Sequence, residues 1–495
     1  MTNAPVKKVP IHLQSSQNRL LIKNGRVVNE DGMEDADVYI EDGIIKQVGR
    51  NLIIPGGTRT IDATGKLVMP GGIDPHTHFE LEMMGAKTAD DFYKGTRAAV
   101  AGGTTTVIDF VLPQKGQSLI EAYNNWRQKA DSKVCCDYGL HVGVTWWSPA
   151  VRREMAQLVA EHGINSFKMF MAYKDAWMLD DYELCHAMET CAELRALPQV
   201  HAENGNIIAH NTEKLLAAGI TGPEGHQLSR NEEVEAEAVN RACVIANQVN
   251  APLYIVHMMS KSAVEALRLA RRRQRQPIFG ETLAATVGTD GTHYRNACFR
   301  HAAAHVLSPP LRPDPTTPEA IVQALADDDL QLIGSDNCTF AEGDKARGRD
   351  NFAHIPNGVN GAEDRMAVLW QKAVNTGLGK FLPTPADSPA VYGAPAPAPA
   401  APPAHTPHSP RSVTSEHTNG TPTGGYEELH LNKQLESMSV SGSGCSTPTG
   451  RKMREPGQRD LQNSTFSISK EMEGADTKTS VRVRNPPGGK SSVLW

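Results

Sequence analysis

Lys66-Leu-Val-Met-Pro-Gly-Gly-Ile-Asp-Pro-His-Thr-His78 carries an apolar run through a Pro/Gly turn into two histidines one residue apart. In an extended strand residues i and i+2 point to the same face, so His76 and His78 aim at one point, which is how a metal is gripped. A histidine pair alone is weak evidence, because a solvated or packed imidazole is the commoner fate. Further candidates strengthen it, because they arrive one per strand-like segment. Asn165-Ser-Phe-Lys-Met-Phe-Met-Ala-Tyr173 alternates so that Lys168, Phe170 and Ala172 share a face. Pro198-Gln-Val-His201 and Pro252-Leu-Tyr-Ile-Val-His257 each end an apolar run in a histidine, and Leu330-Gln-Leu-Ile-Gly-Ser-Asp336 ends one in a carboxylate. A parallel barrel needs this arrangement to assemble a site at the C-terminal ends of its strands.

Working outward, the chain falls into compositional zones. Residues 17–70 are strand-like, with Asn24-Gly25 and Asp42-Gly43 marking hairpins, and predict a small β domain after an N-terminal extension, 1–16. From 71 to 380 strands alternate with helices carrying start signals: Ser118 with Glu121 as a capping box, and Ser148-Pro149 and Thr317-Pro318 as caps before a first-turn proline. That alternation predicts a TIM-like (β/α)8 barrel of the α/β class. From 381 to 495 the sequence turns Pro/Ala-rich and then Ser/Thr/Gly-rich, with too little apolar surface to offset its ordering entropy. A disordered tail is expected there, with Ser-Pro and Thr-Pro sites at Thr384, Ser388, Thr406, Ser409, Thr421 and Thr447 open to proline-directed phosphorylation.

At 495 residues and 39% hydrophobic content the chain holds one large barrel with residues to spare. A net charge of −6 argues against nucleic-acid binding. Arg271-Arg-Arg-Gln-Arg275 follows a helical pattern and reads as cations suited to a helix C-terminus. No apolar run is long enough to span a bilayer and no secretory leader is evident, so no membrane role and a cytoplasmic location are expected. The 8 cysteines lack metal-site or disulfide spacing, which suggests reduced thiols.

Taken together, Gly71-Gly-Ile-Asp-Pro-His-Thr-His78, Phe167-Lys-Met-Phe-Met-Ala-Tyr-Lys174, Val200-His-Ala-Glu-Asn-Gly205, Gly222-Pro-Glu-Gly225, Ile255-Val-His-Met-Met-Ser-Lys261, Gly288-Thr-Asp-Gly-Thr-His293, Ser308-Pro-Pro-Leu-Arg-Pro313 and Gly334-Ser-Asp-Asn-Cys-Thr-Phe340 resemble the cyclic-amide branch of the amidohydrolases. That branch comprises the dihydropyrimidinases and hydantoinases, with their non-catalytic relatives, the collapsin response mediator proteins. The likeness spans about residues 17 to 380. Leu461-Gln-Asn-Ser-Thr-Phe-Ser-Ile-Ser469 and Pro486-Pro-Gly-Gly-Lys-Ser491 resemble the terminal segments of the mediator proteins.

The resemblance implies two zinc ions per chain, suited to neutral imidazoles and carboxylates. His76, His78 and Asp336 would hold one, His201 and His257 the other, with Lys168, carboxylated by carbon dioxide to a carbamate, bridging both. A lysine ammonium would otherwise be repelled by two dications. The metal pair would furnish hydroxide, Asp336 would move its proton to the ring nitrogen, Tyr173 would donate to the oxyanion, and Ser308 and Asn357 would hold the imide edge of a small cyclic amide. A homotetramer is implied too. Two departures stand out. Phe79-Glu-Leu-Glu82 replaces the family's apolar pocket lining, placing Glu80 and Glu82 toward solvent, and after Lys380 the tail replaces the strands that normally complete a β-sandwich with residues 17–70, leaving that domain incomplete. Two functions therefore compete: a hydrolase opening 5,6-dihydrouracil, dihydrothymine or hydantoins to N-carbamoyl amino acids in pyrimidine catabolism, and an adaptor with cytoskeletal or kinase partners on a phosphorylated tail. Adaptors of that kind lack several ligands and this chain keeps all six, which favours the hydrolase.

Overall fold

The computed structural model describes residues 18–29, 32–273 and 275–377. The expectations for the N-terminal extension, the tail and its phosphorylation sites lie outside these residues.

The first described segment forms a five-stranded mixed sheet. Strands β1 (Arg19–Asn29), β2 (Gly32–Glu41) and β3 (Ile44–Gly49) run antiparallel in sequence, while β4 (Arg59–Asp62) and β5 (Leu67–Val68) pair in parallel with β1. Asp42 and Gly43 make the expected two-residue turn, both at positive φ (53° and 75°), which matches the right-handed twist of the flanking strands. Asn24-Gly25, however, is no hairpin. It lies inside β1 as a bulge, where Asn24 is left-handed (φ 61°) and its N–H donates to Asp37 Oδ1 at 2.9 Å. Glycine follows because a Cβ at position 25 would stand 2.5 Å from Val68 Cγ2. Val27, Ala36 and Val38 form a small core on one face, and Ile44, Ile45, Val48 and Ile53 remain exposed.

The rest of the described chain is a parallel barrel, nearly closed, with helices outside. Its strands follow sequence order around the ring: β6 (Gly72–Thr77), then, beyond the short hairpin of β7 (Glu82–Met83) and β8 (Ala86–Lys87), β9 (Thr104–Val111), β10 (Asp137–Gly143), β11 (Ser166–Phe170), β12 (Leu197–His201), β13 (Leu253–Ile255), β14 (Ile278–Leu283) and β15 (Leu332–Gly334). The seam between last and first strands is drawn together just past their ends. Asp336 N–H donates to His76 O at 2.9 Å, His78 N–H donates to Asn337 O at 3.0 Å, and Thr77 bridges Asn337 in parallel. Asp74, fully buried, adds a tie by accepting from the backbone N–H of both His76 and Ser335.

Helix starts mostly follow the sequence signals. Ser118 Oγ accepts from Glu121 N–H, but the reciprocal bond of a full capping box is not seen, and Glu154 instead takes the Leu119 N–H at 2.7 Å. Ser148 caps a helix whose first residue is Pro149. Thr317 is not a cap: the helix Thr317–Ala326 begins one residue earlier in effect, with Thr316 at the cap position and its hydroxyl turned to Asp314. Arg271 closes the helix Lys261–Arg271 by donating to the carbonyls of Ile278 and Asp329, locking the helix end onto the start of β14. One large core lies between strands and helices, with Phe79, Phe92, Phe167 and Met169 fully buried. Such side chains contribute about 1.5–3 kcal/mol each. No helix among the described residues is long and apolar enough to cross a membrane.

Candidate active site

Each candidate ligand arrives at the C-terminal end of a barrel strand because apolar, β-branched sequence carries the strand through the core and releases the chain into polar turns at that end. His76 lies in β6 and His78 just beyond it; Lys168 lies in β11; His201 ends β12; His257 and Asp336 sit two residues past β13 and β15. Parallel register aligns them, with Phe170 opposite His201 and Val200 opposite Ile255. Tyr173, His257 and Asp336 all hold positive φ (61°, 37° and 49°), a conformation non-glycine residues rarely adopt and one that concentrates at functional sites.

His76, His78, Lys168, Tyr173, His201, His257, Ser308, Asp336 and Asn357 line a single pocket, with Leu81, Met83, Leu112, Phe170 and Trp177 as its apolar wall. The wall explains the acidic stretch after His78. Leu81 and Met83 turn inward and Glu82 is exposed, but Glu80 does not face solvent: it is buried and paired with Lys133 at 2.5 Å.

Inside the pocket the imidazoles crowd one carboxylate and one another. Asp336 Oδ1 lies 3.3 Å from His76 Nε2 and 3.2 Å from His78 Nε2, and His201 Nδ1 lies 2.9 Å from His257 Nε2. Burial pushes His76 and His257 well below the ordinary histidine value and lowers His201, so neutral rings with a free lone pair face the cavity. Burial works against the Asp336 carboxylate, but the hydrogen bond with His78 and the nearby Lys168 help to hold the group below its usual range. Lys168 Nζ lies in a box of aromatic rings, 4.7 Å from the centre of Phe110 and 5.4 Å from that of Phe170; burial pulls its pKa down to about 7.

The residue set fits a metal. Among the described residues His76 Nε2, His78 Nδ1, Lys168 Nζ and His257 Nδ1 are buried without a hydrogen-bond partner, a costly state that coordination relieves. Ligand atoms of His76, His257 and Asp336 lie within 4.8 Å of one another.

Behind the ligands stands a set of residues that sequence reading did not single out. Glu281 Oε1 accepts from His76 Nδ1 at 2.7 Å and from the His257 backbone N–H at 3.0 Å, while Tyr254 donates to its other oxygen at 2.6 Å. That fixes the His76 tautomer with Nε2 free toward the pocket. Glu203 lies 2.8 Å from His201 Nε2 and 2.6 Å from Arg230 Nη1; burial would raise its carboxyl, yet Arg230 and His201 hold it down at about 2. Asp109 accepts from Thr77, Phe79 and Trp126 and so anchors the turn that carries His78. Glu203 had a visible signal, two residues past His201 at a strand exit. Glu281, 205 residues from His76, had none.

A parallel barrel with histidines, a lysine and an aspartate converging at its strand ends defines a metal-dependent hydrolase of the amidohydrolase type. The Amidohydrolase family model matches residues 67–375. The dihydropyrimidinase of Rattus norvegicus is 57% identical over 365 residues, 73% of this chain and 70% of that protein. The crystal structure of the Brevibacillus agri dihydropyrimidinase superposes with a TM-score of 0.71 at 39% identity, covering 73% of this chain and 78% of the other. Dihydropyrimidinase-related protein 5 of Mus musculus is 51% identical over 360 residues, 73% of this chain and 64% of that protein. The chain belongs to the dihydropyrimidinase branch of the amidohydrolase family.

Proposed function

We propose that this protein hydrolyses the ring C–N bond of a small cyclic amide, a dihydrouracil, dihydrothymine or hydantoin, to give an N-carbamoyl amino acid. One observation carries the reading: the complete set His76, His78, Lys168, His201, His257 and Asp336 lines one pocket together with Tyr173, Ser308 and Asn357. His76, His78 and Asp336 would hold one zinc ion and His201 and His257 a second, with carboxylated Lys168 between them. A metal pair bound there would supply a strong nucleophile from water at neutral pH and polarise the amide carbonyl.

The chain's own groups complete the chemistry. A pKa near 7 leaves much of the Lys168 amine neutral, the form that adds carbon dioxide to make a carbamate. Asp336, held ionised, accepts the proton of the attacking water and returns it to the ring nitrogen as the C–N bond breaks. Tyr173, its phenol pushed up to about 12 chiefly by burial, stays protonated and donates to the oxyanion. Ser308 and Asn357 bind the imide edge, and the wall of Leu81, Met83 and Trp177 covers the ring's apolar face.

A cytoplasmic setting is supported by the thiol form of the described Cys135, Cys136, Cys185, Cys191 and Cys338. A homotetramer and cytoskeletal or kinase partners of the tail rest on the sequence resemblance. The adaptor reading finds no support in the pocket, which keeps every ligand. The deciding experiment loads purified protein with zinc and bicarbonate and follows ring opening of 5,6-dihydrouracil by mass spectrometry of the carbamoyl product. Metal-loaded protein that turns over neither dihydropyrimidines nor hydantoins would overturn the hydrolase reading.

A further inference from the structure

A second cluster of histidines lies outside the active-site pocket. His293 sits in the short 3-10 turn Gly291–Arg295, His301 in the helix Phe299–Ala304, and His305 at the C-cap of that helix. His301 and His305 are four residues apart, one helical turn, so both rings project from the same side, and the preceding turn folds His293 back against them. His293 Nδ1 lies 2.9 Å from His301 Nε2. The His293 and His305 rings stack with centroids 4.2 Å apart and planes 9° apart, and the His301 and His305 centroids are 4.7 Å apart.

Three further facts give this cluster the character of a ligand set. One nitrogen from each ring falls within a sphere where all lie within 4.8 Å of one another, and all three residues are half-exposed, so an ion has a path from solvent. His305 Nδ1 donates to the backbone carbonyl of His301 at 2.8 Å, which settles its tautomer and leaves Nε2 with a lone pair, the arrangement found behind metal-ligating histidines. Burial and the neighbouring imidazoles lower His301 and His305 below the ordinary histidine value, with Lys345 adding a small push on His305. Packing alone needs no such convergence of basic nitrogens, because two stacked rings and one aliphatic side chain would fill the same space.

We propose that His293, His301 and His305 form a second metal site, distinct from the active site, that takes a borderline divalent cation such as Zn2+ on three imidazoles and leaves a fourth position to water. An ion there fastens the turn to the helix. Ser308 follows His305 by three residues, so the clamp also fixes the start of the segment that delivers Ser308 to the catalytic pocket.

The test counts zinc on the full chain. Protein is stripped with chelator and titrated with Zn2+, and bound ions are counted by native mass spectrometry in wild type, His301→Ala, His305→Gln and the double variant His293→Asn/His301→Ala. Wild type is expected to hold one zinc more per chain than the double variant, whatever number the active site holds, and zinc is expected to raise the melting temperature of wild type by more than that of the variants. The single variants, each losing one half-exposed ring, are expected to bind the extra ion at least tenfold more weakly. Circular dichroism selects the variants that retain the wild-type fold. Equal zinc counts in wild type and a folded double variant overturn the proposal, as does a single variant that binds the extra ion with wild-type affinity or an unchanged zinc-induced shift in melting temperature. Because the readout is a difference, it stays valid if dihydropyrimidine turnover is not found.

Discussion

Replacing Lys168 by methionine should make the metal-free protein more stable while abolishing turnover. The amine is 1% exposed and has no hydrogen-bond partner among the described residues. Burial takes its pKa from an ordinary 10.5 to about 7, partly countered by Glu281 and Asp336. That fall corresponds to roughly 4–5 kcal/mol of disfavoured protonation. Cation–π contact with Phe110 and Phe170 offsets about 0.5–2 kcal/mol of it, leaving desolvation the larger effect and a net penalty of about 3 kcal/mol near pH 7. Methionine fills a similar volume without a charge. The unfolded amine keeps its proton up to about pH 10.4 while the folded one releases it near 7, so the unfolded chain binds more protons between those values and wild-type stability rises with pH across that window. The advantage of Lys168→Met should therefore be full below about pH 7, fall to about 1 kcal/mol near pH 9.5, and vanish near 10.5. Urea unfolding of chelator-treated protein in carbon-dioxide-free buffer measures it. A variant no more stable than wild type at neutral pH, or an advantage independent of pH, would refute the assignment of Lys168 as a buried, uncompensated amine.

Three further expectations rest on neighbouring residues. Arg312 and Glu235 form a buried pair at 2.6 Å, so Arg312→Met should cost about 3–5 kcal/mol in urea unfolding, whereas Arg312→Met with Glu235→Leu should restore most of it. Glu281→Gln, which disturbs the acceptor behind His76, should weaken zinc binding by about 10–100-fold in competition with a chelator, and unchanged affinity would count against its orienting role. His226 is held down at about 3, first by burial and then by Arg230, so its contribution is intact above about pH 6.5 and lost as pH falls toward 3, because only the unfolded chain takes up the proton there. His226→Gln should flatten the acid limb of thermal stability between those values, and an identical acid limb would exclude it.

The parts of this molecule that could be read from sequence are those whose signal is local. Strand-like runs ending in His201 or His257 announce both their extended character and their exit, and one such exit per strand implies a ring. Asp42-Gly43 likewise forms its turn from two residues that tolerate positive φ. Asn24-Gly25 carries the same local signal, but pairing with β2 and the approach of Val68 turn it into a bulge, a tertiary fact that no dipeptide encodes. Thr317-Pro318 carries the local signal of a cap, yet the cap position falls to Thr316, whose hydroxyl donates to Asp314 instead of accepting from the helix end. The residues behind the ligands escaped for a related reason. Glu281 acts on His76 from the far side of the ring, and Arg230 reaches Glu203 across 27 residues. Their roles exist only after the chain has closed.

The closing seam has a consequence for the order in which activity is acquired. His76 lies in the first strand of the ring, His78 just past it, and Asp336 follows the last, so Ser335 Oγ reaches the His76 carbonyl across 259 residues of chain. A nascent polypeptide emerging from the ribosome therefore displays its histidines long before the acid that completes them is synthesised. Loop closure of that length is slow, and every intermediate short of it lacks the carboxylate that faces His76 and His78. On the proposed mechanism, ring-opening chemistry would thereby be withheld from partly made chains. On the proposed metal placement, a cation captured across the seam would act as a latch on the finished ring, and maturation with metal would coincide with the last step of folding.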